Sequence, residues 1–189
     1  METPDRILRA ALVLFASRGY EAVGVQELAE VAETTKPPLY HHFDSKRGVL
    51  EAVVRLHTEE WLARLERAAQ YRGDLAQTIL SVARAFFGYA SEHPTYHRLH
   101  LALWYAPPDS VSHQVIAPPL LRQHQLLEGI FTEAARDHRV LRGRQALQAI
   151  ALTGVLNGFI SSLVEAGVKL DARMARQASR HFLHGAFSI

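Results

Sequence analysis

The sequence predicts an all-α protein. Apolar residues recur at the three- and four-residue spacing of a helix face, as Ile7, Ala10, Ala11, Leu14 and Phe15 do. Capping residues and prolines divide this pattern into segments of helical length, and no stretch has the convincing alternation of a β-strand. Apolar residues make up 48% of the 189 residues, which is enough for a buried core.

Composition excludes several classes of protein. The chain has no cysteine, so it has no disulfide, no thiolate metal site and no cysteine nucleophile. Its first residues do not resemble a signal peptide, and no stretch reaches the roughly 18 apolar residues of a membrane span. We therefore expect a cytoplasmic protein that needs no membrane. Common motifs of hydrolases, metalloproteases and nucleotide-binding enzymes are absent, so we expect neither an enzyme nor a cofactor.

Helix boundaries are closely spaced in the first fifty residues. Thr3–Pro4 can begin the first helix and Gly24 can cap the second, with Glu27 in its first turn. Thr35 can cap a third helix with Pro37–Pro38 in the first turn, where missing N–H groups cost little. Because Asp44–Ser45 can cap a fourth helix, the third must be short.

A short helix held between two others is the arrangement of a helix-turn-helix DNA reader. Between residues 34 and 50 the cations Lys36, Lys46 and Arg47 oppose a single acid, Asp44, although residues 1–60 carry a net charge of −3 (seven Lys and Arg against ten Asp and Glu). Local focusing of charge matters more than net charge for docking on phosphates. We predict contacts at or near base edges from Gln26, Thr34, Thr35, Lys36, Pro37 and Pro38, and phosphate contacts from Tyr40, His41 and Lys46.

Three segments carry a resemblance to the TetR family of bacterial transcriptional regulators. They are ILRAALVLFASRGY (7–20), VQELAEVA (25–32) and KPPLYHHFDSK (36–46). The resemblance implies a homodimer that binds operator DNA and releases it when a small ligand enters the second domain. Two positions depart from the family pattern. Glu33 replaces the usual Gly of the turn, where a left-handed conformation would strain it, and Gly24 replaces the usual Ser or Thr cap.

The predicted organisation is a three-helix DNA-binding bundle at 1–46 and a helical ligand-binding and dimerisation domain at 47–189. A fourth helix, about 46–70, links them. Asp74 and Gln77 can form a capping box for the next helix, and Pro94 can open another that runs through Tyr105. Further helices are predicted at 118–138, led in by Pro118–Pro119, at 144–166, and at 172–187 after the cap Asp171.

Aromatic residues concentrate in the middle helices, interleaved with polar ones. A ligand pocket needs mostly apolar walls and a few orienting polar groups, although such aromatics can equally pack a core. The predicted ligand-binding residues are Trp61, Phe86, Tyr89, His97, Leu101, Trp104, Tyr105, Leu121, His124, Leu127, Phe131 and Phe159. An acyl-CoA ester, an aromatic acid or an apolar drug-like compound would suit such walls and the nearby arginines.

Three histidines at four- and three-residue spacing, His93, His97 and His100, raise the question of a metal site. His93 precedes Pro94 and is expected outside the helix, and no carboxylate joins the group at close spacing. We predict no bound metal, and interpret these histidines as a polar pocket edge or surface.

The penultimate helix predicts a dimer interface. Small residues alternate there with large apolar ones, so the helix is apolar almost all round and a second helix can approach closely. The predicted interface comprises Leu147, Ile150, Ala151, Gly154, Gly158, Ser161, Arg180, His181 and His184. The alternative is a core helix within one chain.

The sequence therefore favours a ligand-responsive repressor that binds a palindromic operator as a dimer. One alternative is an architectural DNA-binding protein without ligand control, and a weaker one is an all-helical enzyme.

Overall fold

The computed structural model of the chain describes residues 3–185, apart from the side chains of residues 163–165. Within this range the chain forms α-helices, one 3-10 turn at Arg139–Leu141 and no strand, which confirms the all-α prediction. The helices are α1 Thr3–Arg18, α2 Val25–Val31, α3 Lys36–Phe43, α4 Lys46–Ala68, α5 Leu75–Glu92, α6 Pro94–Trp104, α7 Val111–Asp137, α8 Gln145–Ala166 and α9 Ala172–His184.

Side-chain caps mark several helix starts where the sequence predicts them. The Ser45 Oγ atom accepts from the Gly48 N–H at 3.0 Å at the start of α4. The carboxylates of Asp74 and Asp171 accept from the N–H groups three residues on, each at 2.9 Å. Each cap satisfies a backbone donor that has no partner inside its helix.

The start of α7 differs from the prediction. The helix begins at Val111, and Ser110 Oγ accepts from the His113 N–H at 3.1 Å, so the serine is its cap. The predicted lead-in prolines, Pro118–Pro119, lie inside the helix. They have no N–H to donate, so two carbonyls of the preceding turn lack their helical partners. Helix α9 ends at His184, earlier than the predicted end at Phe187, because Gly185 with a φ of 74° forms its C-cap.

The chain divides into two compact units. Unit 1 comprises Met1–Glu60 and Pro94–Pro118, and unit 2 comprises Trp61–His93 and Pro119–Ile189. Helices α4 and α7 each pass from one unit into the other. Unit 1 thus holds α6 and the first turns of α7 in addition to the predicted three-helix bundle, so this grouping differs from a boundary at residue 46.

Unit 1 is built around α1. This helix packs against α2, α3 and α6. Ile7, Ala11 and Phe15 on its inner face are fully buried, as are Leu28 of α2 and Leu39 of α3. Burying these side chains supplies most of the stabilisation of so small a bundle.

Unit 2 is built around α5, which packs against α8 and α9. Ring centroids of Phe87 and Phe159 lie 5.9 Å apart, and those of Phe131 and Phe182 are equally close. None of the helices in the described part of the chain is both long and apolar enough to cross a membrane.

Glu33 adopts the left-handed conformation that its place in the turn predicts, with φ of 51°. Its carboxylate lies 3.8 Å from the guanidinium of Arg6, and the glutamate side chain is mostly exposed. An exposed pair at this distance contributes little, so it does not offset the strain of the backbone.

Replacing Glu33 by glycine should therefore stabilise the protein. We expect Glu33→Gly to raise the free energy of unfolding by about 1 kcal/mol, because glycine occupies the left-handed region without strain. Urea denaturation measures the change. Glu33→Ala removes the same ion pair but keeps a Cβ, and it should give no such gain. A Glu33→Gly variant that is less stable than the wild type would contradict this explanation.

Candidate nucleic-acid interface and effector region

Helix α3 offers most of its surface to solvent. Leu39 is fully buried and holds the helix on unit 1. Lys36, Tyr40, His41 and His42 are exposed, and the helix contains no acidic residue. A single buried anchor therefore leaves a positively charged face free to meet an anionic partner.

The predicted DNA-contact residues are all accessible to some degree. Gln26, Thr35, Lys36, Pro37, Tyr40 and His41 are exposed, and Thr34, Pro38 and Lys46 are half-buried. Gln26 donates from Nε2 to Glu30 Oε1 at 2.7 Å, an exposed contact that DNA could replace. Exposure is necessary for a role in binding but does not demonstrate it. The DNA contacts of these residues therefore remain predictions.

Two acidic residues of unit 1, one in α2 and one in α4, are paired with arginines. Glu27 in α2 forms an ion pair with Arg18 at the end of α1. Glu51 in α4 accepts from Arg47 at 2.8 Å. Each pair is neutral, so the charge that unit 1 presents to a phosphate backbone depends on its other ionisable residues, Lys36 of α3 among them.

Lys46 has partners inside unit 1. Its ammonium donates to the carbonyl oxygens of Tyr20 and Val23 at 3.0 and 3.1 Å, and Nζ lies 4.1 Å from the centre of the Tyr20 ring. These contacts hold the ammonium against unit 1 in the free protein, and the phosphate contact of Lys46 stays a prediction. The partners are more than twenty residues away in sequence, so no local pattern could reveal them.

Gly48 is a residue that sequence reasoning missed. A Cβ atom at this position would overlap the carbonyl oxygen of Phe43 at the end of α3. The Ser45 N–H donates to the same oxygen at 2.6 Å. Glycine thus allows the first turn of α4 to lie directly against the end of α3.

Trp61 is the centre of an aromatic cluster in unit 2. It is buried, and its Nε1 donates to Gln123 Oε1 at 2.8 Å. The Phe86 ring meets it edge-on at 4.5 Å, and the Tyr89 ring lies at 5.4 Å. Three predicted ligand residues are therefore adjacent, and Gln123 is the polar group bonded to them.

The other predicted ligand residues are divided between the two units. Those in unit 1 are His97, Leu101, Trp104 and Tyr105, and those in unit 2 are Leu121, His124, Leu127, Phe131 and Phe159. Tyr105 is 77% exposed and Leu121 is 59% exposed, while Leu127 and Phe131 are fully buried. An open depression of about 450 Å³ in unit 2 is lined by other residues, Gln70 and Thr132 among them. The chamber remains a prediction.

The histidines of α6 are buried rather than exposed. The rings of His97 and His100 are stacked with their centres 5.6 Å apart, and Nε2 of His97 has no hydrogen-bond partner. Burial lowers the pKa of His97 to about 4 and that of His100 to about 3. Both are therefore neutral near pH 7. His93 belongs to unit 2.

One face of α8 is buried and the opposite face is exposed and apolar. Leu152, Leu156 and Ile160 are fully buried. On the other side Leu147 is 62% exposed and Ile150 is 60% exposed. The remaining predicted interface residues are also at least partly accessible: Ala151, Gly154, Gly158, Arg180, His181 and His184 are exposed and Ser161 is half-buried. An apolar face of this kind is typical of a protein contact.

The chain is similar in sequence to known regulatory proteins. Residues 7–53 match the family model described as bacterial regulatory proteins, tetR family. The HTH-type transcriptional activator FasR of Mycolicibacterium smegmatis is 27% identical over 154 residues, which are 82% of this chain and 68% of FasR.

Two solved structures share the fold over nearly the whole chain. PfmR, a TetR family transcriptional regulator from Thermus thermophilus, has a TM-score of 0.77 and 26% identity, and the match covers 97% of this chain and 100% of that one. The regulator FadR from Bacillus subtilis, solved in complex with stearoyl-CoA, has a TM-score of 0.80 and 18% identity, with 96% and 98% covered.

A helix-turn-helix bundle followed by a second helical unit defines a DNA-binding regulator of transcription. The chain belongs to the TetR family of bacterial transcriptional regulators. The relatives described above are named as regulators rather than enzymes.

The buried histidines predict that acid destabilises the protein. Below the ordinary histidine pKa near 6.5 the unfolded chain binds protons at His97 and His100, whereas the folded chain binds them only near pH 4 and pH 3. The free energy of unfolding should therefore fall as the pH drops below about 6.5, by up to about 1.4 kcal/mol per pH unit for each histidine.

Urea denaturation at pH 7, 6 and 5 tests this expectation. His100→Leu removes one of the two buried imidazoles and should make stability less dependent on pH. His138→Leu, at an exposed position, is the matched control and should leave the dependence as it is. Equal pH dependence in His100→Leu and the wild type would show that His100 does not cause the effect.

Proposed function

We propose that the protein is a homodimeric repressor that binds a palindromic operator through α2 and α3 and releases it when a small apolar, acyl or aromatic ligand binds. The observation that most supports DNA binding is the exposed face of α3. This helix has no acidic residue, and Leu39 anchors it to the core of unit 1. A helix of this kind fits the major groove, with neighbouring polar groups on the phosphates.

The apolar face of α8 supports the dimer. Leu147 and Ile150 would be costly to leave in water, and Gly154 and Gly158 leave space for a second helix. A second copy of the chain is the simplest occupant, because two identical faces can pair about a two-fold axis. Two DNA-binding units related by a two-fold axis require an operator with inverted half-sites.

The aromatic cluster around Trp61 supports an apolar effector. Gln123 is bonded to the indole, so the cluster combines apolar walls with a polar group that can change partner. FadR, with the same fold, was solved with stearoyl-CoA. Arginines near the 3-10 turn, such as Arg139 and Arg142, are exposed and offer charge for an anionic group. We therefore propose a long-chain acyl thioester or acid as the first class of compound to examine.

The direction of regulation follows from the proposed operator binding. A dimer lying on a promoter blocks transcription unless it also recruits the polymerase, so we propose repression. FasR is named as an activator, and reporter transcription with and without the protein distinguishes the two directions.

Two substitutions on α3 test DNA binding. One removes a charge and the other removes a hydroxyl group. We expect Lys36→Ala to weaken binding to every sequence and to reduce the slope of log K against log salt by about one. Tyr40→Phe should weaken binding with little change in that slope, since a neutral hydrogen bond is lost. Lys169→Ala, an exposed lysine of unit 2, should change neither quantity.

The affinities for different DNA sequences distinguish the proposed repressor from an architectural DNA-binding protein. Fluorescence anisotropy against random duplexes and against duplexes enriched from a random pool gives both affinities at one salt concentration. A repressor should prefer enriched inverted repeats by on the order of a thousandfold or more. Equal affinity for random and enriched DNA would favour the architectural alternative.

A bulky residue on α8 tests the dimer. Gly158 is exposed, and apart from its own helical turn no atom lies within 4 Å of a Cβ built there, so Gly158→Trp should not disturb the fold of one chain. We expect the variant to be monomeric in analytical ultracentrifugation with unchanged helix content. Gly129→Trp, at an equally open position on α7, should remain dimeric. A Gly158→Trp dimer as stable as the wild type would exclude this face.

Effector binding is tested by operator affinity with and without added compounds. Stearoyl-CoA, a free fatty acid, an aromatic acid and an apolar cation form a minimal set. The effective compound should weaken operator binding by roughly 5- to 150-fold, the usual range of allosteric coupling. Gln123→Leu, which removes the polar partner of Trp61, should reduce this response and leave binding without ligand intact. Val13→Ala, at an exposed position of α1 outside the predicted ligand set, is the control. If no compound in the set changes operator affinity, the proposed effector class is wrong.

A further inference from the structure

The first residue of α4 is bonded to a distant loop. Lys46 is half-buried, and two of the three N–H groups of its ammonium donate to the carbonyls of Tyr20 and Val23. The same ammonium lies over the face of the Tyr20 ring, where a cation is attracted by the π electrons. Three separate contacts thus direct this charge inward.

The carbonyl acceptors lie in the loop between α1 and α2. The loop begins at Gly19, whose φ of 81° ends α1, and it runs to Gly24, the cap residue of α2. Gly24 has no side chain with which to cap the helix. The turn inside the loop is weakly bonded, with 3.4 Å between the Val23 nitrogen and the Tyr20 oxygen. Local backbone bonds therefore hold this loop poorly.

Buried side chains give the loop a second, apolar attachment. Val23 is fully buried, and the Tyr20 ring packs edge-on against Phe15 with centroids 5.2 Å apart. These contacts fix the position of the loop on α1, but they leave its carbonyls in need of donors. Lys46 supplies those donors, and a half-buried carbonyl without a donor is costly.

We propose that Lys46 is a positioning residue that fastens the loop before α2 to the first turn of α4. Because α2 starts directly after this loop and α3 follows α2, the contact sets where the reading helices stand relative to the start of α4. The role in DNA recognition rests on the proposed function. The contact itself exists in the free protein, so it can be tested without DNA.

The lysine content of the chain makes a direct observation feasible. Only Lys36, Lys46 and Lys169 occur in the sequence, so selective ¹⁵N labelling of lysine gives three side-chain ammonium signals. Lys36 and Lys169 are exposed. We expect the Lys46 ammonium protons of the free wild-type protein to exchange slowly with water, and the neighbouring methylene protons to be shifted upfield by the Tyr20 ring. A Lys46 signal that exchanges as fast as the other two would overturn the proposal.

Removing the charge provides the second measurement. Lys46→Met keeps the length of the side chain, and we expect amide exchange at residues 23–28 to become about tenfold faster, because two hydrogen bonds that hold the loop are lost. Lys46→Arg retains donors and should restore much of the protection. Lys36→Met, which removes an exposed charge from α3, should leave exchange at these residues unchanged. Unchanged exchange in Lys46→Met would contradict the proposal.

DNA binding then distinguishes positioning from phosphate contact. With an enriched duplex, we expect Lys46→Met to bind severalfold more weakly while the slope of log K against log salt stays as in the wild type. Lys36→Met should reduce the slope by about one. A slope reduced by one in Lys46→Met, together with unchanged amide exchange, would identify Lys46 as a phosphate contact instead. If the wild type does not bind DNA, the proposed function fails, but the ammonium and amide measurements still decide the contact.

Discussion

The burial of Leu39 is the contact on which the reading surface depends. A helix of eight residues is too short to be stable in water by itself, so α3 depends on the burial of one apolar side chain, Leu39, in unit 1, where the helix packs against α1 and α2. The helix contributes little else to that core. Its remaining side chains are therefore free to be polar and exposed, which is what recognition of a duplex requires.

Helix α4 gives the proposed regulation a continuous covalent path. Its first residue, Lys46, is bonded to the loop before α2, and Trp61 of the same helix centres the aromatic cluster of unit 2. A ligand can alter DNA affinity only if it binds two conformations unequally. Because α4 carries both Lys46 and Trp61, a displacement of this helix would change the surroundings of both residues. In the proposed dimer, the exposed face of α8 would meet a second requirement, a partner that holds two DNA-binding units at a fixed spacing.

Local chemistry explains how much of this could be predicted from sequence. Caps such as Asp74 and Asp171 act over three residues, so they are visible in the chain, and the helix starts they predict are confirmed. Pro118–Pro119 misled the prediction for α7 because prolines suit a helix start better than a helix interior, whereas the structure places them inside. The partners of Lys46 and the close approach at Gly48 depend on residues brought together by folding. The aromatic residues were found by composition, but which of them share a wall depends on how the helices pack.

The turn and helix spanning residues 33–43 form the proposed DNA-binding surface. Hydrogen exchange measured by mass spectrometry, with and without a duplex enriched from a random pool, tests this most directly. We expect DNA to slow exchange in peptides covering the N-terminal part of α2, the turn at Glu33 and α3, with no comparable protection on the exposed side of α7. Protection concentrated outside unit 1, with residues 33–43 unchanged by saturating DNA, would contradict the account.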